Sequence, residues 1–288
     1  MNRVPVSFIE DLLNRIGALD NLNSHRHLSG FYGYWASEMY DYCPCKCLVI
    51  KDGKFNRIED SNYVSSATTE APNLSLKSNQ TFRTLKYVFF VVSETSDTVP
   101  PIDPKLPAML NRFFKGPGML SLDIYSSLLN DKWVQLFSSW EGLNQLIVDD
   151  SFTDPVFQLL ENLLNQEQLV ALVVYANDYG TRGVDLFCKF LRQTQLLSLM
   201  FIPKNEGMKE RILAEADTKI FAGSSIHWMH SITLHDDSFQ PVGRVGAEAL
   251  QFKKDNMLVS YANKTAGLEV SEDDFIQGAH LTSLQFLK

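Results

Sequence analysis

Three cysteines, Cys43, Cys45 and Cys47, stand at alternate positions in the run Cys43-Pro44-Cys45-Lys46-Cys47. In an extended strand this alternation turns all three sulfurs to one face, the arrangement from which thiolates bind soft metals. A closed zinc site needs four ligands, commonly in spaced pairs. The remaining cysteine, Cys188, is distant in sequence, and His25 and His27 belong to another segment. The spacing therefore predicts core thiols and no metal site. His227, His230 and His235 surround a strand candidate and are followed by Asp236 and Asp237. On a strand, positions 227 and 230 point to opposite faces, so these histidines are expected at the surface or half-buried and not in one shared site.

Other chemical signatures are missing from the sequence. There is no Gly-x-Ser-x-Gly elbow and no His-Glu-x-x-His. Gly116-Pro117-Gly118 lacks the spacing of a dinucleotide loop, and no Gly-Lys-Ser/Thr phosphate loop occurs. The acidic pairs Asp149-Asp150, Asp236-Asp237 and Asp273-Asp274 fall at expected turns or helix starts, where solvation and N-capping explain them. No catalytic residue and no cofactor is expected.

Composition narrows the class. The 288 residues are 45% hydrophobic, enough for a substantial core, and carry a formal net charge of −8. A general nucleic-acid binder needs clustered cations to displace counterions from phosphate, so nucleic acid is not an expected partner. No apolar run reaches the roughly 18–20 residues that span a bilayer, so no membrane association is expected. Glu10 and Asp11 interrupt the apolar pattern where a signal peptide would need its core. A reducing, cytoplasmic setting follows as the expectation, with Asn73, Asn79 and Asn263 unglycosylated and no disulfides.

The elements that must position any site come next. Residues 3–17 predict an amphipathic helix with Phe8, Ile9, Leu12, Leu13 and Ile16 on one face, and Trp35 and Met39 a second helix after Gly33. Cys43 to Ile50 reads as extended. Asp52-Gly53 reads as a tight turn and Phe55 to Ile58 as the returning strand of a hairpin. Residues 59–80 read as loop, Thr84 to Val92 as a strand, and the proline-bearing Ser93 to Pro104 as a linker.

From about residue 105 the pattern apolar-x-x-apolar-x-apolar recurs. It occurs at Met119, Leu122, Ile124; at Leu143, Leu146, Val148; at Leu169, Leu172, Val174; and at Leu196, Leu199, Phe201, with starts 24, 26 and 27 residues apart. Weaker copies lie at Leu85, Val88, Phe90; at Met229, Ile232, Leu234; and at Leu281, Leu284, Phe286. No clean copy falls between 240 and 275. Helical stretches are predicted at Leu128 to Trp140, Pro155 to Asn165 and Val184 to Leu191. One strand and one helix in each 20–29 residues is the leucine-rich-repeat period, since a single pair cannot cover its own apolar side and must stack on neighbours. Asn177 follows its strand as a repeat asparagine would, but Ser127, Ser151 and Lys204 fill the equivalent places, so the repeat is degenerate. An ordinary open α/β sheet fits the same pattern. Both readings give an α/β fold with a mainly parallel sheet, organised as a helical segment over 1–40, a β-rich connecting region over 41–104 and a strand–helix repeat domain over 105–288.

The first forty residues resemble a degenerate F-box. The matching residues are Val4-Pro5, then Phe8, Ile9, Leu12, Leu13 and Ile16, then Leu19 and Leu22, then Leu28-Ser29 and Trp35. The opening VPVSFIEDLLNRI and the closing DDFIQGAHLTSLQFL are similar to nematode F-box-related proteins, many of which carry degenerate repeats after the N-terminal motif. The resemblance implies docking to the adaptor subunit of an SCF-type ubiquitin ligase through Pro5, Phe8, Ile9, Leu12 and Leu13, and recognition of a protein substrate by the repeats. Packing of the N-terminal helix on its own domain remains the alternative.

If the repeats stack, the intervening positions Ile147, Val170, Ala171, Val173, Leu197 and Met200 form an outward apolar face flanked by Asn144, Gln145 and Ser198. Contiguous apolar surface of this kind marks interaction sites, unless a second layer covers it. The functional expectation is a non-enzymatic protein-interaction module. The competing one is a small-molecule-binding or enzymatic α/β domain, which predicts a polar-lined pocket at the strand C-terminal ends.

Overall fold

The computed structural model describes residues 44–62, 85–96, 98–115, 118–176, 178–201, 209–212, 214, 224–245, 248–263 and 270–287. The helices expected before residue 40, and with them Pro5, Phe8, Ile9, Leu12 and Leu13, lie outside the described residues, as does Cys43. The chain divides into two compact units, Met1–Trp133 with Trp140–Gln145, and Val134–Ser139 with Leu146–Lys288. The division falls well beyond the prolines of Ser93 to Pro104.

In the first unit β1 (Pro44–Lys51) and β2 (Lys54–Asn62) form an antiparallel hairpin. Its loop is Asp52-Gly53, with φ of 50° and 78°, the left-handed pair whose twist matches that of the flanking strands. The Asp52 carboxylate accepts hydrogen bonds from the Ser93 backbone N–H at 2.7 Å and the Ser93 hydroxyl at 2.6 Å. Residues 59–62, expected as loop, continue β2 instead, because the partner strand β1 still offers backbone groups as far as Pro44. β3 (Leu85–Val91) lies parallel to β1, and β4 (Leu120–Ile124) lies parallel to β3.

Between β3 and β4 runs α1 (Leu106–Phe113), which buries Leu106, Leu110 and Phe113. The sequence did not predict this helix. The prolines before it fill its approach and first turn, where a missing N–H is harmless. α2 (Asp131–Ser138) starts where the Asn130 side chain accepts from the N–H groups of Lys132 and Trp133. Trp133 is fully buried against Phe90, ring centroids 4.9 Å apart, and its indole N–H donates to the Pro100 carbonyl at 2.8 Å. That bond ties down the connection from Ser93 to Pro104.

The second unit takes up the repeat. Its elements are the end of β5 (Leu143–Val148), α3 (Asp154–Gln166), β6 (Ala171–Val174), α4 (Gly180–Leu191), β7 (Ser198–Phe201) and β8 (Ser225–Trp228). β6, β7 and β8 are parallel neighbours, and Tyr175 N–H donates to the Val148 carbonyl of β5. Crossovers that step in one direction are right-handed, which places α3 and α4 on one face of these strands. Leu146, Val148, Leu172, Val174, Leu199 and Phe201 point to that face and are fully buried. Phe187 of α4 meets Phe201 of β7 at 5.3 Å. Arg182 links the two helices through Asp154 at 2.9 Å and Glu161 at 3.0 Å.

After β8 the strand direction changes. β9 (Gln240–Val245), β10 (Ala249–Lys254), β11 (Met257–Ala262) and β12 (Leu281–Phe286) continue the sheet in the order β8-β12-β11-β10-β9, every pair antiparallel. The sheet is therefore mostly parallel, as expected, but of mixed orientation, because the strands after β8 are antiparallel. The reason is visible at 240–275, where the repeat failed. Met257 to Ala262 alternates buried and half-buried residues with period two, the mark of a meander, and Asp255 at φ 50° turns β10 into β11.

The weak copy at Met229, Ile232 and Leu234 is likewise corrected, since the strand is Ser225–Trp228. Past it, backbone donors turn to side chains: Ile232 N–H to the Thr282 hydroxyl at 3.2 Å and Leu234 N–H to the Tyr261 hydroxyl at 3.0 Å. α5 (Glu272–Gln277) is capped by Ser271, whose hydroxyl accepts from Asp274 N–H, and Asp273 and Asp274 fill its first turn. The α/β alternation of strands and helices stands. Among the described residues no helix is long and apolar enough to cross a membrane.

Candidate functional site

The second unit has a face opposite to α3 and α4, and strand register arranges its residues into one row. Val173 of β6 stands beside Met200 of β7, Met200 beside His227 of β8, and His227 beside Ser283 of β12. Ser283 is followed by Ser260 of β11 and Gln251 of β10. The row begins apolar and ends in hydrogen-bonding groups. Alternation along each strand produces it, since the neighbouring positions point into the core.

His227 is the centre of the polar half. One imidazole nitrogen, Nε2, lies 2.8 Å from the Ser225 hydroxyl, and the other, Nδ1, lies 2.9 Å from the Ser283 hydroxyl. The Ser225 hydroxyl donates to the Leu197 carbonyl at 2.9 Å. Its single hydrogen is thereby committed, so it accepts from Nε2–H, and for a neutral ring Nδ1 accepts from Ser283. The chain of donors assigns the tautomer. Further along, the Gln251 amide donates to the Ser260 hydroxyl at 3.2 Å.

A serine hydroxyl aimed at an imidazole nitrogen is also how a nucleophile meets its base. Here the third group is a neutral hydroxyl where a carboxylate would stabilise an imidazolium. β12 is paired on both sides, so its N–H groups belong to the ladder and not to an oxyanion hole. The arrangement fixes the orientation of the imidazole in a sheet surface.

Of the residues read from the sequence as outward, Ile147, Ala171, Val173 and Met200 alternate onto this face, whereas Val170 and Leu197 share the parity of the inward Leu172 and Leu199. Ile147 and Met200 are half-buried within their strands, and Val173 is buried. Val170 and Leu197 stand one residue ahead of β6 and β7 and are half-buried. Tyr175 and Met229, directly after β6 and β8, are each 44% exposed. These two were missed by sequence reasoning. The signal available was position: each follows the last inward apolar residue of its strand. The serines and His227 were missed as a group because register joins them and local sequence does not.

Other candidates resolve as follows. Cys45 and Cys47 share one face of β1, their sulfurs 3.8 Å apart. Among the described residues no three His, Cys, Asp or Glu side chains gather closely enough to hold a metal. His235 belongs to the core side of the C-terminal strands. It stacks on Phe252 at 3.9 Å and its Nδ1 meets the Tyr261 hydroxyl at 2.7 Å. Burial holds its imidazole below the ordinary histidine value despite Asp236, Glu272 and Asp273 nearby. Two cavities have described walls. One lies in the first unit among Lys46, Lys86 and Arg112, and the other lies along β9 and β10. Neither is at the C-terminal ends of the parallel strands.

No protein-family model, no curated protein and no solved structure matches this chain.

Proposed function

We propose that the chain is a non-enzymatic protein-binding module acting in the cytoplasm, whose second unit holds a protein partner on the face away from α3 and α4. The supporting observation is the composition of that face. Ile147 and Met200 are half-buried, Tyr175 and Met229 are exposed, and His227, Ser283, Ser260 and Gln251 extend the same surface with hydrogen-bonding groups. Protein interfaces combine an apolar, aromatic- and methionine-rich centre with a polar rim. The strand–helix units of 24–27 residues are read as degenerate leucine-rich-like repeats, which use such open sheet faces for recognition.

The F-box resemblance supplies the second half of the proposal. The N-terminal segment docks an SCF adaptor through Pro5, Phe8, Ile9, Leu12 and Leu13, and the repeat face presents the substrate. Co-purification of the intact chain with the purified adaptor tests this half. Association is expected, with loss on Leu12→Asp and Leu13→Asp and retention on Met200→Asp, which belongs to the substrate face. No association of the intact chain would remove the ligase role and leave a plain interaction module.

A further inference from the structure

The first unit gathers positive charge around one cavity of about 400 Å³, lined by Lys46, Ile58, Lys86, Met109, Arg112, Phe113 and Lys115. Four of these seven are cations, in a chain whose formal net charge is −8. The fold brings them together from three distant segments. Lys46 of β1 and Lys86 of β3 are register partners on adjacent parallel strands. Met109, Arg112 and Phe113 form one stripe of α1 by their three- and four-residue spacing. Among the described lining residues there are four cations and no carboxylate.

Lys86 explains how the charge is held. It is 5% exposed, and its ammonium donates to the carbonyls of Phe114 and Lys115 at 3.0 and 3.2 Å. Those carbonyls end α1, so the ammonium offsets the negative end of the helix that would otherwise face the cavity. Burial first, and the Lys46 charge second, push the Lys86 ammonium below the ordinary lysine value. Lys46, Arg112 and Lys115 are exposed and available around it. The rest of the lining is apolar: Phe113 is buried, Met109 half-buried and Ile58 48% exposed. The volume is in the range of small-molecule sites, roughly 300–1,000 Å³.

We infer that this cavity binds a phosphomonoester carried on an apolar or aromatic group. Lysine and arginine donors match a dianionic phosphate through charge-assisted hydrogen bonds, and Ile58, Met109 and Phe113 supply the surface for the carrier. The site is independent of the partner face proposed above, and the two stand or fall separately.

Calorimetric titration of the full chain with phenyl phosphate tests it. Saturable binding is expected, about tenfold tighter than inorganic phosphate because the ring buries apolar surface. Lys46→Glu and Arg112→Glu alter exposed side chains, so both variants should melt like the parent while each weakens phenyl phosphate about tenfold or more. Ile58→Asp should weaken phenyl phosphate more than inorganic phosphate. A tyrosine-phosphorylated peptide that binds more tightly than phenyl phosphate places the natural ligand on a protein. A peptide that binds no more tightly places it among free phosphomonoesters. Either result supports the cavity. Absence of saturable phenyl phosphate binding at millimolar concentration overturns the inference, as does binding that Lys46→Glu and Arg112→Glu leave unchanged. Inorganic phosphate binding as tightly as phenyl phosphate overturns the assignment of an apolar carrier.

Discussion

The first unit crowds like charges around a cavity, whereas the second lays hydroxyls and one imidazole along a row of adjacent strands. The difference follows from how each polar group is satisfied. Lys86 is buried because two helix carbonyls receive its protons, and burial then lowers its readiness to carry charge. His227 is held between Ser225 and Ser283, each within 2.9 Å, so both ring nitrogens face hydroxyls. A cavity lined by cations suits a small anion; a row of apolar and hydrogen-bonding side chains suits another protein. The lesson is that polar side chains in a sheet are read by what completes their hydrogen bonds, not by their number.

The cores beneath the two sites offer the sharpest contrast. Trp133→Ala in the first unit and Phe187→Ala in the second should each cost about 3–5 kcal/mol in chemical denaturation, as buried aromatic truncations do. They should differ in what else they release. Trp133 also holds the Pro100 carbonyl, and the adjoining Asp103 N–H is bonded to Gly53. Hydrogen exchange at Asp103 should therefore accelerate in Trp133→Ala and stay slow in Phe187→Ala. Equal exchange in both variants would break the idea that the tryptophan anchors the connection.

A smaller effect separates two glycines. Gly53 has φ of 78°, and a Cβ there would meet the Pro101 carbonyl oxygen at 2.0 Å. Gly243, at φ of 104° in β9, has open space around the same position. Both pay for a left-handed backbone, about 1–3 kcal/mol, but only Gly53→Ala adds a collision with backbone. Thermal unfolding should rank Gly53→Ala well below Gly243→Ala in stability. If the two are equal, the turn gives way more easily than its packing implies.

Much of this architecture was legible in the sequence, and the boundary of legibility has physical causes. Asp52-Gly53 announced its hairpin because few residue pairs accept two left-handed conformations. The apolar-x-x-apolar-x-apolar pattern found β3, β4, β5, β6 and β7, since strands covered by helices must present inward side chains at those places. α1 was hidden because its prolines look like a linker from outside and like a helix start from inside. The antiparallel strands β9 to β11 were hidden because the search followed one period and they obey another. Neither site was legible as a site. His227, Ser283, Ser260 and Gln251 become neighbours only through the strand order β8-β12-β11-β10. Lys46, Lys86 and Arg112 meet only once α1 crosses the strands.

The gentlest contrast is in pH. Asp52 in the first unit is held below its ordinary value of 3.8, chiefly by the Ser93 hydroxyl and then by the Ser93 N–H. His235 in the second is held below its ordinary 6.5 by burial. In both cases the unfolded chain binds the proton more readily than the fold, so acid removes stability. The windows differ. The His235 contribution is whole above pH 6.5 and declines as pH falls from there through its lower folded value. The Asp52 contribution is whole above pH 3.8 and declines only below that. The hydroxyl of Tyr261 shows why the imidazole resists. It accepts from the Leu234 and His235 N–H groups, and beside a neutral imidazole its own hydrogen is donated to His235 Nδ1, the site a proton would need. His235→Phe keeps the stack on Phe252 and should flatten the stability profile below pH 6.5 while lowering the plateau by about 1 kcal/mol for the lost bond. Asp52→Asn should leave that window intact and flatten the profile only in the carboxylate range. A His235→Phe profile that still falls between pH 6.5 and 5 would assign the acid sensitivity to another group.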